Sequence, residues 1–167
     1  MPKSANPGPK NKTAAAVVRL LAQKKKKLAL AESCTGGFIA NRITSVPGAS
    51  EIFLGGVVAY GNDVKEKFLA VRPETLKRYG AVSGSVAREM AGGARRKFGA
   101  DFAIAVTGIA GPTGGTKAKP VGTVFISVAG AFGILVERKL NSFSREKFKE
   151  VTVRQALEML RAQLVSA

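Results

Sequence analysis

Residues 32–37 read ESCTGG, and they put a serine, a cysteine, a threonine and two glycines where the apolar run LALA gives way to FIANRITSV. Serine and threonine hydroxyls serve as nucleophiles or as helix caps, and glycine lets a ligand approach the backbone closely. If the segment joins a strand to a helix, its unpaired N–H groups and the positive helix end favour an anion or a developing oxyanion. Ser33 is then the candidate nucleophile, with Thr35, Gly36 and Gly37 around the bound molecule. A plain capping role for Ser33 or Thr35 accounts for the same residues, and the segment alone does not separate the two.

A serine nucleophile needs a base, and the chain contains no histidine. That excludes the Ser-His-Asp arrangement and leaves lysine, tyrosine or a carboxylate. The stretch VVAYGNDVKEKFL supplies Tyr60 and Lys65 near the end of a β-forming run, where α/β sites gather their side chains. Lysine acts as a base only where burial or a neighbouring cation brings its pKa well below about 10.4. A third stretch, TGIAGPTGGTKAKPVGTVF, follows another buried strand pattern. It places Thr107 and Gly108 at a strand end and Gly111 in a Gly/Pro-rich loop. Two small-residue turns at strand ends form two walls of a phosphate-sized pocket. With no histidine and one cysteine, Cys34, neither a metal site nor an intrachain disulfide is expected.

These residues need a scaffold, and the pattern supplies one. TAAAVVRLLAQKKKK has helical spacing with Thr13 as a candidate N-cap, LALAE reads as a short buried strand, and FIANRITSV is a helix stopping before Pro47. EIFLGGVVAYG is a strand whose glycine pair suggests a bulge, followed by short helices over NDVKEKFLA and PETLKRYG, the second opening on Pro73. SGSVAREMAGGARRKFGA is a longer helix and DFAIAVTG a buried strand. VGTVFISVAG and FGILVERKLN form a hairpin turning near Gly130, and a long helix closes the chain. Helices between successive strands, then a hairpin, predict a layered α/β domain with a mixed sheet.

The chain has 167 residues, enough for one core, and no apolar run long enough to span a bilayer. No secretory pattern follows the basic start, and a cytoplasmic location is expected. The formal charge of +16 comes from 27 Lys and Arg against 11 Asp and Glu. Much of it falls in residues 1–12, read as a disordered basic tail ahead of a domain over 13–167, and in the lysine run 24–27, read as a helix end. No aromatic residues interleave with these charges, so a nucleic-acid partner is not expected.

ESCTGG, YGNDVK, GAVS, TGIAGPTGG and KPVGTV, in that order and at these separations, resemble the C-terminal domain of the CinA family, which includes the PncC-type nicotinamide mononucleotide amidohydrolases. The resemblance covers about residues 13 to 165. It implies one α/β/α-layered domain, without metal or cofactor, that hydrolyses the carboxamide of nicotinamide mononucleotide to nicotinate mononucleotide and ammonia, and a homo-oligomer. Ser33 matches the family's catalytic serine, Lys65 and Tyr60 its basic partners, and Thr107 with Gly108 the residues flanking the site. A Gly-Asp-Arg or Gly-Asn-Arg step common in the family is replaced here by Phe143, Ser144 and Arg145. Arg145 is the candidate phosphate ligand, and its altered neighbours are expected to loosen the loop that aims it. The alternative function is a catalytically silent module that binds a pyridine nucleotide and is linked to competence or DNA damage.

Overall fold

The computed structural model describes residues 11–166. Its elements are α1 (Lys12–Gln23), β1 (Leu28–Glu32), α2 (Phe38–Thr44), a single 3-10 turn (Ala49–Glu51), β2 (Phe53–Val58), α3 (Asn62–Leu69), α4 (Pro73–Tyr79), α5 (Gly84–Phe98), β3 (Phe102–Gly108), β4 (Thr123–Gly130), β5 (Gly133–Leu140) and α6 (Arg145–Ser166). The five strands form one sheet in the order β2-β1-β3-β4-β5. β1 runs parallel to both β2 and β3, whereas β4 is antiparallel to β3 and β5.

Alternation along the strands decides the layering, because successive side chains point to opposite faces. Leu28, Leu30, Phe102, Ile104, Val106, Val124, Ile126 and Val128 face one way and pack with α1, α2 and α6. Ala29, Ala31, Ala103, Ala105 and Ala129 face the other way, against α3, α4 and α5. Each buried Leu or Ile contributes about 1.5–3 kcal/mol. The alanine face works differently, by letting α5 approach closely. α5 itself is thinned to match: a Cβ on Gly93 would lie 1.8 Å from the Leu69 carbonyl oxygen, so α3 and α5 touch backbone to backbone there. The result is the expected three-layer α/β/α domain with a mixed, open sheet.

The strand with the glycine pair is irregular where expected. Leu28 pairs with Phe53 and Ala29 with Gly55, so Leu54 bulges from the edge strand. Among the described residues, no helix is long and apolar enough to cross a membrane. The expected basic tail falls, over residues 1–10, outside the described residues. Lys12 already belongs to α1, and Asn11 rather than Thr13 occupies its N-cap position, without a side-chain hydrogen bond.

This order of strands fixes where a site can form. The chain leaves β1 for β2 on one side through α2, and returns past β1 to β3 through α3, α4 and α5 on the opposite face. The loops at the carboxyl ends of β1 and β3 therefore diverge, which opens a crevice at the switch point. Ser33 follows the last residue of β1, and Thr107 and Gly108 end β3.

Candidate active site

The turn after β1 is built around Glu32, which was not among the candidate residues. Its carboxylate is buried and accepts four hydrogen bonds. Oε2 takes them from Thr35 Oγ1 at 2.6 Å, Gly37 N at 3.1 Å and Ile39 N at 3.0 Å, and Oε1 takes one from Ala40 N at 2.8 Å. The N-terminus of α2 thus carries an internal anion, which satisfies the orphan donors and complements the helix dipole. Gly37 is the N-cap, with φ of 93°, and Gly36 also has a positive φ, 61°. Both glycines are needed to fold the chain back over Glu32. A carboxylate just ahead of a glycine-rich helix start was the signal that could have revealed this.

Glu32 also separates the two readings of Ser33. α2 has no side-chain cap from its N-cap residue, and the Ser33 hydroxyl bonds to no protein group among the described residues. Ser33 is held by its backbone, its N–H donating to Val106 O at 3.1 Å, and the residue keeps 8% of its surface exposed. Its hydroxyl is not a cap. Thr35, by contrast, is fully buried with its hydroxyl donated to Glu32, so it braces the turn rather than offering a free group to a ligand. Most of the turn's N–H groups are likewise engaged. That of Thr35 has no backbone acceptor among the described residues.

Lys65 is 1% exposed, among the largest fully buried side chains of the described residues. From α3 it reaches back to the loop before its own helix, where Nζ donates to Ala59 O at 2.7 Å, Tyr60 O at 3.1 Å and Gly61 O at 3.5 Å. Burial lowers its pKa from the ordinary lysine value, against the opposing pull of the Cys34 sulfur and Asp63. The nearby N-terminus of α3 works in the same direction as burial. The three carbonyls favour the ammonium. A neutral amine keeps two of these bonds and gives up the longest, so the uncharged form is accessible. Cys34, next to Ser33, lies within electrostatic reach of Glu32, Lys65 and Arg145. Burial, reinforced by Glu32, pushes its thiol up to about 12 despite its own backbone N–H and the two cations, so it stays protonated at neutral pH. That leaves Ser33 as the nucleophile candidate of this turn.

Arg145 ties the remaining pieces together. Its guanidinium donates to Gly111 O at 2.9 Å and to the Tyr60 hydroxyl at 2.7 Å, which joins α6, the Gly/Pro-rich loop and the end of the β2 segment. Tyr60 is 60% exposed. The altered residues before Arg145 do not leave it unsupported. Ser144 O accepts from Phe148 N at 2.8 Å and Ser144 Oγ from Lys147 N at 3.4 Å, which caps α6. Asn141 anchors the approach, donating its N–H to Gly122 O and bonding through its side chain to Thr152 and Gln155. The loop is also pinned, by Lys119 Nζ to Tyr79 O and Arg138 to Ala118 O, while residues 112–118 stay exposed.

Thr107 and Gly108 are placed at the crevice but are engaged. Thr107 Oγ1 donates to Ala81 O at 2.8 Å, which connects GAVS to the end of β3. A Cβ on Gly108 would lie 2.8 Å from Thr123 O, so this glycine lets β4 come close. Two residues absent from the sequence reading complete the surroundings. Phe38 follows the glycine pair, and Lys149 lies one helical turn beyond Arg145, its Nζ 5.1 Å from the Phe38 ring. Phe38, Arg145, Glu146 and Lys149 line a cleft of about 390 Å³. A cleft of about 430 Å³ between α1, α2 and α6 contains none of the candidate residues. Among the described residues, no three Cys, Asp or Glu side chains gather around one point.

The model of the CinA C-terminal domain matches residues 10–164. The chain belongs to the CinA C-terminal domain family. A CinA-like protein of Geobacter sulfurreducens is 50% identical over 91% of this chain and 37% of its own length. A CinA-like protein of Thermotoga maritima is 57% identical over 67% of the chain and 28% of its own length. The chain thus spans about a third of the curated CinA-like relatives it matches. Among solved structures, a competence/damage inducible protein, CihA, from Agrobacterium tumefaciens superposes with a TM-score of 0.90 at 41% identity, covering 93% of this chain and 96% of that one. A CinA superfamily protein from Klebsiella pneumoniae gives 0.91 at 33% identity, covering 95% and 99%.

Proposed function

We propose that this CinA-family domain is an amidohydrolase that converts nicotinamide mononucleotide to nicotinate mononucleotide and ammonia. The observation that carries the reading is a serine hydroxyl without a protein partner, in a turn that feels a buried lysine whose pKa is lowered. Lys65 as the amine, with Tyr60 assisting, takes the Ser33 proton as Oγ bonds to the carboxamide carbon. The Thr35 N–H is the donor left for the oxyanion. The C–N bond breaks, the Lys65 ammonium returns its proton to the leaving nitrogen, and ammonia departs. Water then attacks the acyl-serine by the same route, releasing the carboxylate and regenerating Ser33. Arg145 spends two of its five donors on Gly111 and Tyr60, which leaves three for the substrate phosphate. Thr35, Gly36, Gly37, Thr107, Gly108 and Gly111 shape the pocket walls. The cleft beside Arg145 has the size of a nucleotide site.

A second reading has its own support. Three carbonyls around Lys65 favour its charged form, and a lysine held as ammonium leaves a pyridine-nucleotide-binding module without a base. Incubation with nicotinamide mononucleotide and measurement of ammonia separates the two. The hydrolase reading requires release that disappears in folded Ser33→Ala. Binding of the nucleotide with no ammonia supports the silent module instead.

A further inference from the structure

The far end of the sheet carries a second charged surface. β1 and β3 begin side by side, with Leu28 paired to Phe102, so the segments that enter them meet there. One is Lys24–Lys27, all exposed, and the other is Arg95–Lys97 in the last turn of α5. The β4–β5 hairpin turns at the same end through Ala131 and Phe132. Lys24, Lys26, Arg95, Asp101 and Phe132 line a cleft of about 340 Å³. Its acid, Asp101, is already bonded to Lys26 Nζ and Lys27 N.

Some of these cations offset the negative ends of α1 and α5. That account needs one or two charges at each helix end, not seven, and it does not explain Phe132. Its ring is 89% exposed and stands beside cations from two segments about seventy residues apart. The lysine run alone lacks an aromatic neighbour in sequence. The fold supplies one, together with the α5 cations. A basic groove that tracks phosphates, combined with an aromatic face for bases, is how proteins hold single-stranded nucleic acid.

We propose that this end of the molecule, opposite the crevice, binds single-stranded nucleic acid, with phosphates on Lys24, Lys25 and Arg96 and a base stacked on Phe132. The test is fluorescence anisotropy of the full chain with a labelled oligothymidylate of about 20 nucleotides across a salt series. Three phosphate contacts predict that log K falls against log salt with a slope of about −2. Lys24→Glu with Arg96→Glu weakens binding at least tenfold and flattens the slope. Phe132→Ala weakens it about fivefold or more and leaves the slope unchanged, because stacking is not a charge contact. Lys3→Ser with Lys10→Ser stays within about twofold of the parent. The proposal is overturned if the Lys3/Lys10 pair abolishes binding while the Lys24/Arg96 pair does not, or if Phe132→Ala binds like the parent. Capture by phosphatidylserine vesicles with no oligonucleotide binding overturns it as well. Circular dichroism verifies the fold of each variant.

Discussion

Replacing Glu32 removes the acceptor around which the turn is built, and the cost follows from its four bonds. In Glu32→Ala the Ile39 N–H, fully buried, loses its only partner at a cost of about 1–3 kcal/mol. The Gly37 and Ala40 N–H groups are half-buried, so water recovers part of theirs. Loss of a negative charge at the N-terminus of α2 adds about 0.3–2 kcal/mol. The Thr35 hydroxyl, fully buried, also loses its acceptor, at about 1–3 kcal/mol, so the sum is about 3–8 kcal/mol, or roughly 10–20 °C in Tm for a domain of this size. Glu32→Gln behaves differently. Its oxygen keeps the three donors of the Oε2 position while its amide turns towards Ala40 N–H, so about 1–3 kcal/mol is lost. Urea unfolding by circular dichroism measures both, and ammonia release below the transition reports the effect on the Ser33 turn. An alanine variant within about 1 kcal/mol of the parent would show that water replaces the carboxylate and refute this account of the turn. Equal destabilisation by Gln and Ala would refute the division of donors between the two oxygens.

Three further outcomes follow from contacts described above. Gly93→Ala should cost about 3 kcal/mol in spite of alanine's better helix propensity, because its Cβ meets the Leu69 carbonyl; a variant as stable as the parent in urea contradicts the close approach of α3 and α5. Burial pushes the Glu89 carboxyl up, but bonds from the Arg72 N–H, the Thr75 hydroxyl and the Arg72 guanidinium outweigh it and hold its pKa below the ordinary value of 4.5. Its contribution, about 1 kcal/mol because Arg72 is mostly exposed, is therefore present above that value and is lost as pH falls through the lowered one. The Tm difference between the parent and Glu89→Gln should accordingly shrink to nothing in acid. For Lys65, the rate of ammonia release should rise about tenfold per pH unit and level off below 10.5, where the amine forms. Stability should also rise with pH between the lowered value and 10.5, since only the unfolded chain still holds that proton. A rate flat from pH 6 to 9 moves the base elsewhere.

What the sequence made legible was local. Leu-Ala-Leu-Ala and Phe-Ala-Ile-Ala-Val alternate with period two, so both strands and both faces of the sheet could be read directly. The glycine pair in β2 announced a bulge, and Pro73 announced the start of α4. Contacts that close over distance were not legible. Arg145 meets Tyr60 across 85 positions and Thr107 meets Ala81 across 26, and no periodicity encodes such pairs. Glu32 was hidden for a different reason. Its donors lie only three to eight residues ahead, but a carboxylate at the end of a buried strand becomes a cap only if two glycines adopt positive φ. Thr13 lost the N-cap position to Asn11 because α1 begins two residues before its apolar pattern, at Lys12 rather than Ala14.

The internal carboxylate changes how an anionic substrate can sit. A free helix N-terminus after β1 would attract a phosphate, but the donors of α2 are taken by Glu32, whose negative charge repels a second anion there. The cations next to this turn are on α6, where Arg145 and Lys149 lie one turn apart and line the same cleft as Phe38. On the proposed function this orients the substrate. The neutral carboxamide approaches Ser33, and the phosphate lies towards Arg145 and Lys149.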